Sequence, residues 1–168
     1  MSSPLLFEMT IPIFRRAVSN LKGVLKLGEK YATENNIPTS EMVNWKLAED
    51  MKPLSFQIQT VSNTVKMTSV RVTGIELPVM DDNETTLEEL YARLDKTLEI
   101  IDKVEKDHTA DFEGKETAEV VMRDMKFTGK NYVQTFALPN FFFHVVTAYD
   151  ILRNKGVPVG KLDYMGAR

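Results

Sequence analysis

The chain contains no cysteine. A disulfide, a thiolate-held metal and a thiol nucleophile are therefore all outside its chemistry. Histidine is scarce, with two in 168 residues, and tryptophan occurs once. Serine-histidine triads and histidine-rich metal centres have little to draw on. The sequence has no Gly-rich phosphate loop, no nucleophile elbow and no His-Glu-x-x-His run, so no motif calls for a cofactor. Positive charge is not in excess either: 21 basic residues face 24 acidic ones, for a formal net charge of -3. That balance removes the generic attraction to phosphate backbones and anionic lipid, and nucleic acid is not an expected partner.

Long apolar runs are missing too. The segment from Asn131 to Tyr149 has no formal charge with His144 neutral, yet Asn131, Gln134, Thr135, Asn140, His144 and Thr147 are polar and Pro139 interrupts it. This suits a buried helix pair better than a membrane span. The opening residues Met1-Ser2-Ser3-Pro4-Leu5-Leu6-Phe7-Glu8 hold neither a basic leader nor an apolar stretch long enough for a secretory signal. Cytoplasmic residence without a membrane partner is the expectation. With 43% apolar and 27% charged residues, the length suits one domain spanning residues 1–168.

What is present is helical periodicity. From Thr10 to Asn36, Ile11, Phe14, Val18, Leu21, Leu25 and Gly28 recur every three or four positions, the spacing of one helix face. Asn35-Asn36-Ile37-Pro38 ends that helix, and Thr39-Ser40 is suited to cap a short segment reaching Leu47. Asp50 is placed to offer its carboxylate to the next helix start, with Pro53 in the first turn. Leu54, Ile58, Val61, Val65 and Val72 carry a second long stripe that Gly74 stops. Thr85-Thr86-Leu87-Glu88-Glu89 contains overlapping capping boxes, opening a third helix to about Asp107. Between Thr117 and Thr128 the period changes to two, around Arg123-Asp124, which predicts a small hairpin. Gly129-Lys130-Asn131 reopens helix, Pro139 interrupts or restarts it, and Asn140–Asn154 is its strong half. The economical arrangement is all-α: an up-and-down four-helix bundle with a small β-hairpin before the last helix.

Within that frame two histidines are weighed easily. His108, among Lys106, Asp107 and Asp111 at a helix end, reads as a solvent-facing residue. His144 shares a helical line with Asn140, Ala148 and Ile151, beside Phe141, so its imidazole faces the core. Gln57 sits on the apolar stripe of the second helix. Buried amides and imidazoles need partners, so Gln57, Asn140 and His144 are expected to meet one another or a shared water. Such a cluster either fixes helix register or floors a ligand pocket. Desolvation among Phe side chains keeps His144 neutral and able to act as a base. Asp50 is the carboxylate candidate for a base, against its role as a cap.

Several blocks carry a resemblance. They are Asp50-Met51-x-Pro53-Leu54-x-x-Gln57, Thr73-Gly74-x-Glu76-x-Pro78, Phe136-Ala137-Leu138-Pro139-Asn140-Phe141-Phe142-Phe143-His144 and Leu152-Arg153-x-x-Gly156-Val157-Pro158. Together they resemble a family of unknown function in the DinB/YfiT-like helical superfamily. The resemblance implies a DinB-like four-helix bundle, frequent homodimers and no assigned activity. The superfamily often binds a divalent cation through three histidines, and the equivalent positions here hold Gln57, Asn140 and His144. Carboxamides are weak ligands for ions that favour imidazole, so loss of the metal with retention of a cavity is expected. The expected site is a pocket for a small organic molecule, with Gln57, Asn140, His144 and Phe141 on the ligand, His144 and Asp50 as candidate catalytic groups, and neither a metal nor a cofactor. The alternatives are a metal-dependent transferase or hydrolase with a degenerate site, and a non-catalytic dimeric assembly module.

Charge is unevenly spread. Asp81–Asp124 holds 15 acidic and 6 basic residues, while the remainder holds 9 acidic and 15 basic. The strip is either a solvated helix face or one half of an electrostatic homodimer contact. If the contact forms, raising NaCl from about 50 mM to about 500 mM, which shortens the screening length severalfold, shifts the sedimentation profile toward monomer. An association indifferent to salt removes the electrostatic version.

Overall fold

The computed structural model describes residues 3–167. A one-turn helix, α1 (Leu5–Glu8), leads into α2 (Ile11–Glu34), whose buried residues Ile11, Phe14, Val18, Leu21, Leu25 and Gly28 follow the expected stripe. Gly28 is there for space: a Cβ would lie 2.7 Å from the Met42 Cε and 3.0 Å from a Leu152 methyl. The short helix α3 covers only Thr39–Met42, and neither Thr39 nor Ser40 caps it, because Pro38 holds the N-cap position.

The second long helix, α4 (Leu54–Thr73), starts at Pro53 and ends at Gly74, whose φ of +82° makes it a left-handed cap. The Asp50 cap is not formed. The amides at the helix start are already taken, since Leu54 N–H donates to the Trp45 carbonyl at 2.8 Å and Ser55 N–H to the Val43 carbonyl at 3.1 Å. Asp50 stays in an exposed turn. By contrast the capping box of α5 (Leu87–Asp107) closes as the sequence reads: Thr86 Oγ1 accepts from Glu89 N–H, and the Glu89 carboxylate accepts from Thr86 N–H.

After a 3₁₀ turn at Thr109–Phe112 come β1 (Glu119–Met122) and β2 (Met125–Thr128), paired antiparallel with Val120 opposite Phe127 and Met122 opposite Met125. The last long element is composite. A turn of helix, α6 (Gly129–Tyr132), passes through a π turn at Val133–Ala137 into α7 (Leu138–Asn154), with Pro139 in its first turn. A final short helix, α8 (Lys161–Tyr164), packs on α2. No helix of the described residues is long and apolar enough to cross a membrane.

Cross-bundle contacts fix the directions. Arg15 reaches Asp102 and Glu105 of α5, Lys22 reaches Asp95, and Glu29 reaches Tyr91, so α2 and α5 are antiparallel. These pairs also neutralise part of the acidic strip within the chain. Gln57 meets His144, Thr64 meets Asn140 and Arg71 meets Tyr132, so α4 and the α6–α7 element are antiparallel. Phe14 packs on Phe141 and Gly28 on Leu152, so α2 and α7 are parallel. It follows that consecutive α4 and α5 run in the same direction. The bundle thus reads up, down, down, up, with residues 74–86 as a crossover. Those 13 residues reach about 43 Å when extended, enough to return along the roughly 30 Å of α4.

A buried guanidinium holds the crossover down. Arg93 of α5 has a side chain only 1% exposed. It donates to the Asp81 carbonyl, Glu84 Oε1, Asn63 Oδ1 and Asp82 Oδ1, at 2.7 to 2.9 Å. Gln59 adds a bond to Glu84, and Asn63 one to Asp82, so α4, α5 and the loop share one network. Removing one partner of such a pair strands the other, and Glu84 is itself only 11% exposed. Arg93→Met should therefore lower the unfolding free energy by about 3–5 kcal/mol in chemical denaturation. A loss below about 1 kcal/mol, the range of surface ion pairs, would show that packing alone secures the crossover.

Candidate functional site

The seam between α4 and the α6–α7 element is the most closely packed pair in the bundle, and the polar side chains singled out from the sequence line up along it. Gln57 is 2% exposed. Its amide nitrogen donates to the Lys52 carbonyl at 2.9 Å, which turns Oε1 toward the ring of His144, 2.7 Å from Nδ1. An oxygen can only accept, so Nδ1 carries the proton and Nε2 keeps its lone pair. Nε2 has no partner among the described residues and is not sealed from solvent. The rings of Phe56 and Phe143 present edges to the imidazole, with centroids 6.0 and 5.2 Å away. Burial pushes the His144 pKa below the ordinary imidazole value, which keeps the ring neutral near pH 7.

Asn140 does not join that pair. Its amide donates to Thr64 Oγ1 at 3.0 Å, while the Thr64 hydroxyl donates to the Thr60 carbonyl at 2.7 Å. The three side chains expected to meet therefore divide into Gln57–His144 and Asn140–Thr64, which lie one turn apart on α7 and about two turns apart on α4. Phe141, expected on the ligand, is fully buried with its ring 4.5 Å from Phe14 on the α2 side. Burying a ring that size contributes about 1.5–3 kcal/mol, and packing accounts for it. No hydrogen bond joins Asp50 to Gln57, Asn140 or His144. His108 ends α5 with Nδ1 2.8 Å from Asp111, consistent with a helix-end role.

A groove of about 370 Å³ runs along the seam, bounded by Thr60, Thr64 and Arg71 of α4, by Phe136 and Asn140, and by the hairpin. Sequence reasoning missed Thr64, Arg71, Arg123 and Tyr132 as its walls. The available signal was the α4 line Gln57, Thr60, Thr64, Thr68 and Arg71, a polar edge beside the apolar stripe. On the opposite face of α7, a second hollow of about 240 Å³ lies between α2, α7 and α8, lined mainly by apolar groups such as Leu21, Phe142, Val145 and Tyr149.

The donor set does not fit a divalent cation. One imidazole nitrogen and the Gln57 oxygen are spent on each other, which leaves only His144 Nε2 and the weakly ligating Asn140 carboxamide oxygen. Among the described residues no group of three or more His, Asp or Glu side chains is placed to hold a metal.

A four-helix bundle with a hairpin before its last helix, and a polar seam where α4 meets α7, defines a DinB-like helical protein. A DinB family member protein from Shewanella denitrificans, known from its crystal structure, is 34% identical, superposes with a TM-score of 0.90, and is matched over 98% of this chain and 93% of its own. The chain belongs to the family described as Domain of unknown function (DUF1993), which matches residues 6–165. Comparison with curated proteins finds no match.

The lowered pKa of His144 has a sign that denaturation can read. Below about pH 6.5 the unfolded chain takes up a proton that the folded site resists, so stability falls as pH drops through that value. It levels off once the folded imidazole also protonates. Between about pH 7.5 and 5.5 the wild-type Tm should fall further than that of His144→Gln, whose other titrating groups are the same. Equal slopes would mean that the imidazole titrates as if unfolded.

Proposed function

We propose that the protein binds a small organic molecule in the groove along the α4–α7 seam, and that the molecule extends beyond Asn140, the last α7 residue of the groove's lining, to His144 Nε2, which accepts a hydrogen bond or a proton from it. The observation that carries this reading is the Gln57–His144 bond. A glutamine anchored to the Lys52 carbonyl fixes one tautomer and leaves the basic nitrogen without a partner among the described residues. The pair retains an acceptor that solvent or a ligand can reach, in a half-buried position beside two aromatic rings, where a hydrogen bond is stronger than in water.

The metal-dependent alternative draws no support from the donor set. Asp50 has no place in the reading either, because it lies in an exposed turn with no bond to the pair. Asn140 and Thr64 form the middle of the groove wall, and their bond leaves the Asn140 carbonyl oxygen to accept from a ligand. Whatever follows binding would use His144 as a general base near neutral pH, since its depressed pKa keeps it unprotonated there.

Mass spectrometry of small molecules carried through a native purification is the direct test. The wild-type protein should retain a compound in near-stoichiometric amount, and His144→Ala should lose it while keeping the far-ultraviolet circular dichroism and a cooperative melt. Global unfolding of His144→Ala, with normal folding of His144→Gln and no retained compound in either Gln variant or wild type, would reduce the pair to a register device.

A further inference from the structure

Resting on that reading, we infer that the ligand of the groove is an organic anion, an apolar body carrying a carboxylate or phosphate group that is held by Arg71 and Arg123. The groove extends roughly 16 Å along α4 from Thr60 to Arg71, at the rise of an α-helix. Its far end is cationic. Arg71 donates to the Tyr132 hydroxyl at 3.0 Å, and Arg123 reaches the same groove from the hairpin loop. Neither guanidinium forms an ion pair among the described residues, whereas Arg15 and Arg93 each take two carboxylates. No carboxylate lines the groove. The nearby Asp82, bonded to the lining residue Asn63, is already held by Arg93. Two positive charges thus face one concavity without a counter-charge in its wall, in a chain whose net charge is negative.

Backbone geometry at Arg123 points the same way. Its φ is +56°, at the first position of the two-residue loop between β1 and β2. That region costs a residue with a Cβ about 1–2 kcal/mol, and a glycine would be free of the cost. The two-residue hairpin loop itself demands that conformation at its first position, and Arg123 is thereby held among the residues that line the groove. That placement suits the chemistry: guanidinium presents paired donors that match a carboxylate or phosphate edge and stays charged at all working pH values. Met67, Met122, Met125 and Phe136 give the wall an adaptable apolar part beside the polar Thr60, Asn63, Thr64 and Asn140. The groove therefore has an acid-binding end, and outside its lining, one turn past Asn140, lies the free acceptor His144 Nε2. A ligand spanning both carries an acid group at one end and a hydroxyl or amine at the other.

The test uses the full chain and two probes with one arylamine body, 8-anilino-1-naphthalenesulfonate and neutral N-phenyl-1-naphthylamine, titrated by fluorescence. The side-chain amide resonances of Asn63 and Asn140 report on the groove, and those of Asn20 report on the hollow between α2, α7 and α8. The sulfonate should bind saturably and at least about tenfold tighter than the neutral probe, moving Asn63 and Asn140 but not Asn20. Arg71→Gln and Arg123→Gln should each weaken the sulfonate by about fivefold or more and leave the neutral probe unchanged. Equal binding of both probes with shifts at Asn63 and Asn140, or sulfonate affinity unmoved by either variant, would overturn the anion inference while the groove keeps its role as a ligand site. Shifts confined to Asn20, or no saturable binding of either probe, would remove the groove itself and the proposed function with it.

Discussion

Arg93 is a charge that cannot be left alone. A guanidinium taken out of water needs partners, and here two carboxylates, a backbone carbonyl and an asparagine oxygen from α4 and from the crossover at 74–86 take its four terminal N–H groups, while the buried Nε–H has none among the described residues. The network does not add much net stability, since desolvating the ions offsets most of their attraction. What it does is select one course for the connection. The crossover is pinned across α4 and α5, which run parallel. The opposite side of α4 is then left for an antiparallel α7. Every polar pairing of the seam, from Gln57–His144 to Arg71–Tyr132, presupposes that order.

Much of this architecture was legible in the sequence because its signals are local. The α5 start is written in Thr86 and Glu89, the α4 stop in Gly74, and the hairpin in the alternation of Val120 and Met122 with charged neighbours. The errors came where a distant group took a local group's role. Asp50 is a good cap by type and position, but the Trp45 and Val43 carbonyls reach the helix start first. The parallel step from α4 to α5 brings the crossover over Arg93, whose place among Leu90, Leu94 and Thr97 marks it as buried without saying what buries it.

The site divides along the same line. Gln57 and His144 each lie on the core face of their own helix, so periodicity alone brings them together once the helices are antiparallel. Asn140 lies on that face too, but a threonine hydroxyl at the right height is a nearer partner than the amide of Gln57. Phe141 opens the aromatic run that borders His144, yet it is one residue past Asn140, about 100° around the helix, and the ring goes to the α2 side. Arg71 and Arg123 come from elements far apart in sequence, and nothing in either segment announces the other.

The π turn at Val133–Ala137 settles which side chains the seam contains. In an unbroken α-helix, steps of four residues drift about 40° each, so Tyr132 and His144 would end up roughly 120° apart. One surplus residue in the coil takes back most of that angle, and Tyr132, Phe136, Asn140 and His144 stay in a single file. The bulge thus works as a phase corrector between the groove residues Tyr132, Phe136 and Asn140 and the imidazole beyond them. Shortening this stretch by one residue would leave the helix intact as a helix and turn its downstream half by about a quarter of a revolution. Sequence length between Gly129 and Pro139 is for that reason constrained independently of which residues fill it.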